Sequence, residues 1–591
     1  MAEYTAPLRD MQFVINELIG LPRVQELAGF DEVSADLTAA VLEEAAKLAT
    51  EVLSPLNRIG DTVGCRLEGD VVHTPPGWRE AYRAFCEGGW NGLAMNPEFG
   101  GQGLPKLVAT AVSEMWDGAN MAFGLCPLLT GGAIEAIEQH GSDELRAMFL
   151  SPLIAGTWTG TMNLTEPQAG SDLSAVRSRA VPQDGHYLIS GQKIFITYGE
   201  HDMTDNIVHL VLARLPDAPE GTRGISLFAV PKFMVNADGA LGKRNDLRCV
   251  SIEHKLGIHG SPTAVMSYGD HGGAIGYLVG EVNRGLTHMF TMMNAARHAV
   301  GRQGFAIAER AYQQALQHAR ERVQGQAPGA GPRATIVEHP DVKRMLMTMK
   351  CQIEAMRALS YLCALEYDTA ELHPDAARRA RAERRGDLLT PVVKAWSTEN
   401  GVQLTSLGVQ VHGGMGYIEE TGAAQYMRDA RIAPIYEGTT GIQAGDLVGR
   451  KTLRDGGHAM RELIADMRAT VANMQSLIGS AAQVRDALAV AVDHLETVVG
   501  WLCGAAADPR LPAAAAVSYL QLCGLVCGGW MMAEAAARSA PAAAGDSADF
   551  YRAKLATASF YAAQLLPQAA ALAQIIVQGS NAIADIDTAL L

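Results

Sequence analysis

Residues 428–443 read RDARIAPIYEGTTGIQ, and Glu437 stands there between an apolar run and a run of small residues. A carboxylate that follows Ile-Ala-Pro-Ile-Tyr faces desolvation, and desolvation raises a carboxyl pKa. The glycines after it, Gly438 and Gly441, would let a large flat ligand reach the backbone. The same residues also suit a plain helix start, with Thr439 or Thr440 as the cap and Glu437 solvated nearby. Both readings stand on these residues alone.

A second stretch, TMNLTEPQAGSDLSAVRSRA at 161–180, offers hydroxyls and main-chain amides. Such a loop suits the polar edge of a heterocycle or a phosphate, and it equally suits a plain connection. The glycine-rich FGGQGLP (99–105) and VHGGMGYIEETG (411–422) do not place GxGxxG between a strand and a helix, so neither is read as a nucleotide loop. The basic run ARRARAERR (377–385) could meet phosphates or a membrane surface, or be a solvated helix face.

The elements that must position these residues change along the chain. Residues 1 to about 150 read as helices. SADLTAAVLEEAAKLATEVLSPLN has helical spacing and is expected to end at Pro55. LLTGGAIEAIEQHGSDELRAMFLSPLI reads as helix, Gly-Ser-Asp turn, helix. From about 155, HYLISGQKIFITYG, NIVHLVLARL and GISLFAVPK carry strand signals. Helix returns at 285 in a segment of about ten turns at 5.4 Å each, with glycines placed to bend or interrupt it. GQAPGAGPRA (325–334) is a loop. After about 452 the chain is alanine-rich and helical to its end. Elements segregated in this way argue against a doubly wound sheet and for a mostly α, α+β protein.

The chain has 591 residues, enough for three or four domains. Its formal charge of −16 offers no global field for nucleic acid, so any anionic ligand must be held locally. Nine cysteines without a CxxC or Cys/His pairing point to a reducing compartment, no disulfides and no metal site. Cys523 and Cys527 are expected on one apolar helix face. The N-terminal residues lack an uninterrupted apolar core, so no signal peptide is expected, and no membrane span is expected from the apolar runs. The cytoplasm is the expected location.

Six stretches, taken in order, carry a resemblance: NPEFGGQGLP (96–105), MNLTEPQAGSDL (162–173), GQKIFITYG (191–199), ERV (321–323), QVHGGMGYIEE (410–420) and MRDARIAPIYEGTTGIQ (427–443). Together they resemble the acyl-CoA dehydrogenase family, and most closely its members with a helical C-terminal extension. The resemblance implies a helical N-terminal domain (1–155), a central β-barrel-like domain (156–282), a helical C-terminal four-helix domain (283–451) and an extra helical domain (452–591), with FAD held between the core domains. It implies α,β-dehydrogenation of an acyl-CoA thioester, fatty acyl or 3-methylmercaptopropionyl. Electrons would pass to an electron-transfer flavoprotein, and a homodimer is the implied assembly. The alternatives within the fold are an oxidase that reduces oxygen and a non-catalytic flavin-binding scaffold.

Residue by residue, the resemblance makes Glu437 the base that takes the α-proton while the β-hydrogen leaves as hydride to the flavin. It puts Gly438 beside the thioester. Met162, Leu164, Thr165 and Ser171 match the flavin-facing loop, with Ser171 also near CoA. Phe195 and Thr197 match the residues flanking the isoalloxazine ring. Arg322, Gln410, Gly414 and Thr439 match further FAD contacts, Arg322 toward a neighbouring subunit's pyrophosphate. Asn294 and Arg297 match the pair near the CoA moiety. Two positions depart from the pattern: Gly441 stands where many members have glutamine, and Asn294 where aspartate is common.

Overall fold

Two long runs, NIVHLVLAR (Asn206–Arg214) and ISLFAVP (Ile225–Pro231), are buried almost residue by residue rather than alternately. Strands that read this way must be covered on both faces, and they are neighbouring interior strands of an eight-stranded sheet. In the computed structural model, which describes residues 4–329, 333–545 and 547–591, this sheet lies in one of two units. That unit comprises Lys47–Leu104 and Ala119–Ala299; the other comprises Met1–Ala46, Pro105–Gly118 and Val300–Leu591.

The sheet runs Leu247–Ile252, Thr263–Tyr268, His186–Thr197, Ala274–Leu278, Ile225–Pro231, Asn206–Arg214, Trp158–Asn163. All these neighbours are antiparallel except the last pair. Arg179–Gln183 pairs His186–Thr197 and, at Arg179, Asn206–Arg214, which curls the sheet into a barrel-like form. One side holds a core that includes Ile189, Ile196, Val211 and Phe228. The other packs Val208, Leu210 and Leu227 against Ile134, Phe149 and Met292 of helices.

The second unit is helical among its described residues, apart from an isolated bridge between Val323 and Thr335. The helix Gly285–Glu321, which enters this unit at Val300, runs for 37 residues through the glycines read as placed to bend or interrupt it. Gly301 and Gly304 sit where the helix Ala376–His412 crosses. A Cβ on Gly301 would lie 2.7 Å from the Val393 carbonyl oxygen, and one on Gly401 2.5 Å from that of Gly304. Here glycine serves close approach of two backbones rather than a bend. Arg357, buried in the helix Pro340–Leu372, is held between Glu114 (2.6 Å) and Glu309 (3.0 Å).

Among its described residues the C-terminal extension contributes five α-helices, one of them Arg510–Ala542, in which Cys523 and Cys527 are both buried. On that helix Gly524 and Gly528 cap the indole of Trp396, leaving it 5% exposed; a Cβ on Gly528 would lie 2.7 Å from the ring.

Two further expectations are corrected. The N-terminal helix does not stop at Pro55: a π-helical stretch, Leu48–Leu53, passes into the helix Ser54–Val63, so Pro55, which has no N–H to donate, falls just after the stretch where the bonding leaves the α-helical pattern. The final helix is two, Ala548–Gln564 and Gln568–Ala584, divided before Pro567 and Gln568. Among the described residues, four helical stretches are long and apolar enough to cross a membrane by length and composition alone: Lys106–His140, Ser480–Ala505, Arg510–Ala542 and Ala548–Ala584. Alanine and glycine carry these windows although no long run is purely aliphatic, and in Lys106–His140 and Arg510–Ala542 most of the window is buried inside the protein.

The basic run is a paired helix face. Arg378 meets Glu26, Arg381 and Arg385 meet Asp466, Arg384 meets Glu462, and Arg379 donates to the His373 carbonyl. In the loop 325–334, residues 330–332 lie outside the described residues; on its flank Gln324 N–H donates to the Ala334 carbonyl at 3.0 Å.

Candidate active site

The helix Thr440–Val448 begins as the plain reading of its sequence requires, with the Thr439 hydroxyl accepting from the Ile442 N–H at 3.3 Å. That cap does not account for Glu437, which sits two residues earlier with φ at +55°, in the left-handed region that a glutamate seldom enters. Gly438 follows at φ +88°. Backbone held in a sparsely populated region costs of order 1–3 kcal/mol and persists only where its surroundings enforce it.

The surroundings do so. The ammonium of Lys394, fully buried, donates to the carbonyls of Ala433 (2.9 Å) and Gly438 (2.8 Å), one on each side of Glu437. The Gln443 amide donates to the carbonyls of Glu437 (3.2 Å) and Gly438 (3.4 Å). Thr440 Oγ1 donates to Glu399 at 2.6 Å. The Tyr436 hydroxyl donates to Gln303, and burial, then the charges of Asp117 and Glu437, push that phenol well above its ordinary pKa. Asp117 is itself tied to Arg302 at 2.8 Å. Glu437 remains half-buried at the head of this frame.

In the β-rich unit the hydroxyl-rich loop is pinned by a buried ion pair. Glu166 meets Lys193 at 2.8 Å and also accepts from the Ser178 hydroxyl (2.6 Å) and the main-chain N–H of Arg177 (2.7 Å). Burial alone would raise the Glu166 pKa; the Lys193 charge and these donors outweigh it and hold the carboxyl at about 2. Lys193 also donates to the Leu164 carbonyl (3.1 Å), and the Ile194 N–H donates to that of Thr165 (2.9 Å). These bonds lay 164–166 alongside 193–195. Met162, Leu164, Thr165 and Thr197 are thus half-buried in neighbouring backbone, and Phe195, at φ +60°, leaves 58% of its surface open. An open aromatic face beside half-buried hydroxyls fits a flat heterocycle such as flavin. Ser171 is exposed at the edge of the loop.

The other expected residues divide by unit. The rings of His318 and His412 stack at 4.6 Å, joining the end of Gly285–Glu321 to the end of Ala376–His412. That contact brings Arg322, Gln410 and Gly414 to one end of the helical unit, all three exposed. Asn294 is exposed in the β-rich unit. Arg297, one turn on, is only 4% exposed, with its guanidinium carbon 5.9 Å from the Phe290 ring centroid.

Comparison with known proteins places this geometry. Family models match in order along the chain: acyl-CoA dehydrogenase N-terminal domain at 37–157, middle domain at 161–270 and C-terminal domain at 283–453, then acetyl-CoA dehydrogenase C-terminal like at 463–587. The 3-methylmercaptopropionyl-CoA dehydrogenase of Ruegeria pomeroyi is 51% identical over 96% of this chain and 97% of that protein. The chain belongs to the acyl-CoA dehydrogenase family. It is an oxidoreductase of that family whose core carries a further helical domain. A broad-specificity linear acyl-CoA dehydrogenase of Mycobacterium tuberculosis is 34% identical over the whole of both chains. In fold, this acyl-CoA dehydrogenase matches one from Bacillus anthracis, solved in complex with FAD, at a TM-score of 0.72 and 19% identity, covering 98% of this chain and 93% of that one.

Four supporting residues escaped the sequence reading: Glu166, Lys193, Lys394 and Gln443. Two carried a signal. Lys394 interrupts the apolar LLTPVVKAW, and Glu166 stands inside a loop read for its hydroxyls and main-chain amides; lone charges in such places are buried only when paired.

Proposed function

We propose that this acyl-CoA dehydrogenase uses FAD to introduce the α,β-double bond into an acyl-CoA thioester, with Glu437 as the base and 3-methylmercaptopropionyl-CoA among its substrates. The observation that carries the reading is Glu437 itself, a carboxylate held at φ +55° by bonds to the carbonyls around it and followed by a glycine. A thioester α-proton is weakly acidic, so the base must be aimed and the enolate charge stabilised as it develops. Glu437 Oε takes that proton, and Gly438 leaves space for the thioester. The open face of Phe195 and the half-buried Thr165 and Thr197 would hold the flavin, with Met162 and Leu164 beside them. FAD, when bound, supplies the acceptor for the β-hydrogen and its electron pair. Substrate choice rests on the Ruegeria relative's name and extent. A homodimer working in the cytoplasm, with an electron-transfer flavoprotein as acceptor, completes the proposal.

The test is an anaerobic titration of the flavin-loaded protein with saturated acyl-CoAs, 3-methylmercaptopropionyl-CoA included, beside a Glu437→Gln variant. Wild type should lose its flavin absorbance, and the variant should do so at least about a hundredfold more slowly. Equal rates would remove Glu437 from the chemistry. Rapid reoxidation by air with peroxide formed would make the protein an oxidase.

A further inference from the structure

We propose that Lys394 is the positioning residue of the reaction, its ammonium fixing the turn that aims Glu437; this rests on the reading of Glu437 as the base. A buried ammonium is costly unless its protons are bonded. Lys394 is fully buried, and it donates to the carbonyls of Ala433 and Gly438, five residues apart. The segment between them, Pro434-Ile435-Tyr436-Glu437, is closed by this clamp into a loop whose last residue has φ +55°.

The lysine is delivered by a close helix crossing. Gly301 and Gly304 admit the backbone of Val393 and Ser397, leaving no room for even a methyl group between the helices. Residue 394 is therefore fixed by main-chain contact, and the length of the lysine stem sets where the carbonyls are held. From the opposite side Tyr436 is fixed by its bond to Gln303, a neighbour of Gly304 on the same helix. Both anchors of the turn thus come from the two strips of helix that touch at Gly301, Gly304 and Gly401. A base misplaced by about 1 Å can lose a hundredfold in rate, so a clamp of this kind acts on proton removal more than on ligand affinity.

Lys394→Met keeps the stem and removes the donors. Its flavin content and thermal midpoint are measured first. Stopped-flow bleaching by a saturating acyl-CoA then reads chemistry, and titration with a 3-thia-acyl-CoA, an analogue with an acidic α-proton that is not oxidised, reads binding and ionisation. The expected result is bleaching per bound flavin slowed ten- to a hundredfold, analogue affinity within about threefold of wild type, and weaker analogue ionisation. Unchanged bleaching per bound flavin, with only stability or flavin content lowered, would make Lys394 structural and overturn the proposal. Glu437→Gln is run alongside: if it bleaches like wild type the base assignment fails, whereas an inactive Glu437→Gln with a fully active Lys394→Met refutes the clamp alone. Should the methionine variant not fold, Lys394→Gln, which keeps a neutral donor, is read the same way; failure of both to fold overturns the proposal.

Discussion

Lys193 and Lys394 are both fully buried, one in each unit, and they are held differently. Lys193 faces a carboxylate, Glu166, as well as the Leu164 carbonyl, whereas Lys394 donates to two main-chain carbonyls at the Glu437 turn. A side-chain pair can be exchanged as a pair, because both partners are encoded. A carbonyl cannot be mutated away, so its lost donor leaves an unsatisfied buried oxygen whatever else is changed. The β-rich unit therefore pins its loop in part through an exchangeable side-chain pair, and the helical unit ties its turn through carbonyls that no substitution removes.

That contrast breaks most visibly at the pair. Lys193→Met leaves a buried carboxylate and should cost about 3–5 kcal/mol in chemical denaturation. Adding Glu166→Gln should recover more than half of the loss; no recovery would mean that the Leu164 carbonyl, rather than the pair, carries the cost. At Lys394 no second side-chain change should recover the bleaching rate.

Acid provides the next largest effect. Burial, reinforced by the Lys232 charge, pulls His201 and His209 down to about 3, against an ordinary value near 6.5. The unfolded chain therefore binds protons that the folded chain refuses. Stability from these rings is complete above pH 6.5 and is lost as pH falls toward 3, at up to about 2.7 kcal/mol per pH unit for the two together. In the helical unit, burial pushes Asp368 up to about 7 against the opposing Lys106 charge. Its contribution has the opposite sign, present at low pH and lost as pH rises through 7. Hydrogen exchange at pH 5 should show Asn206–Arg214 losing protection before Pro340–Leu372, and the reverse order would contradict the assignment.

Two glycines on the helical side give smaller effects. Gly304→Ala drives a methyl into the Ser397 carbonyl and should cost about 1–3 kcal/mol. Gly441→Ala meets only the Thr439 hydroxyl at 3.8 Å, so it should stabilise by up to about 1 kcal/mol through helix propensity. A destabilised Gly441→Ala would show that this departure from the family pattern serves the local fold.

Periodicity and turn residues made most of the elements legible in the sequence, from the strands near 190, 210 and 228 to the long helix from 285. The Glu437 stretch offered two readings because both apply: Thr439 caps a helix, and Glu437 occupies a strained turn just before it. What stayed hidden was bonding to the main chain. The Ala433 and Gly438 groups that accept from Lys394 are carbonyls, which every residue carries, so no spacing announces them. The pairing of the 377–385 arginines was hidden for another reason, since Glu462 and Asp466 lie some eighty residues away on a helix that reads as alanine-rich.

The indole of Trp396 has a consequence for the order in which the protein is made. Its cover, Gly524 and Gly528, is encoded far downstream, so a growing chain carries the uncovered ring for roughly 6–26 s at a synthesis rate of about 5–20 residues per second. During that interval the segment bearing Lys394 and the Glu437 turn has emerged without its lid. The nascent chain, rather than the finished protein, is then the form most open to aggregation, and a message that ends before residue 524 would leave it there permanently.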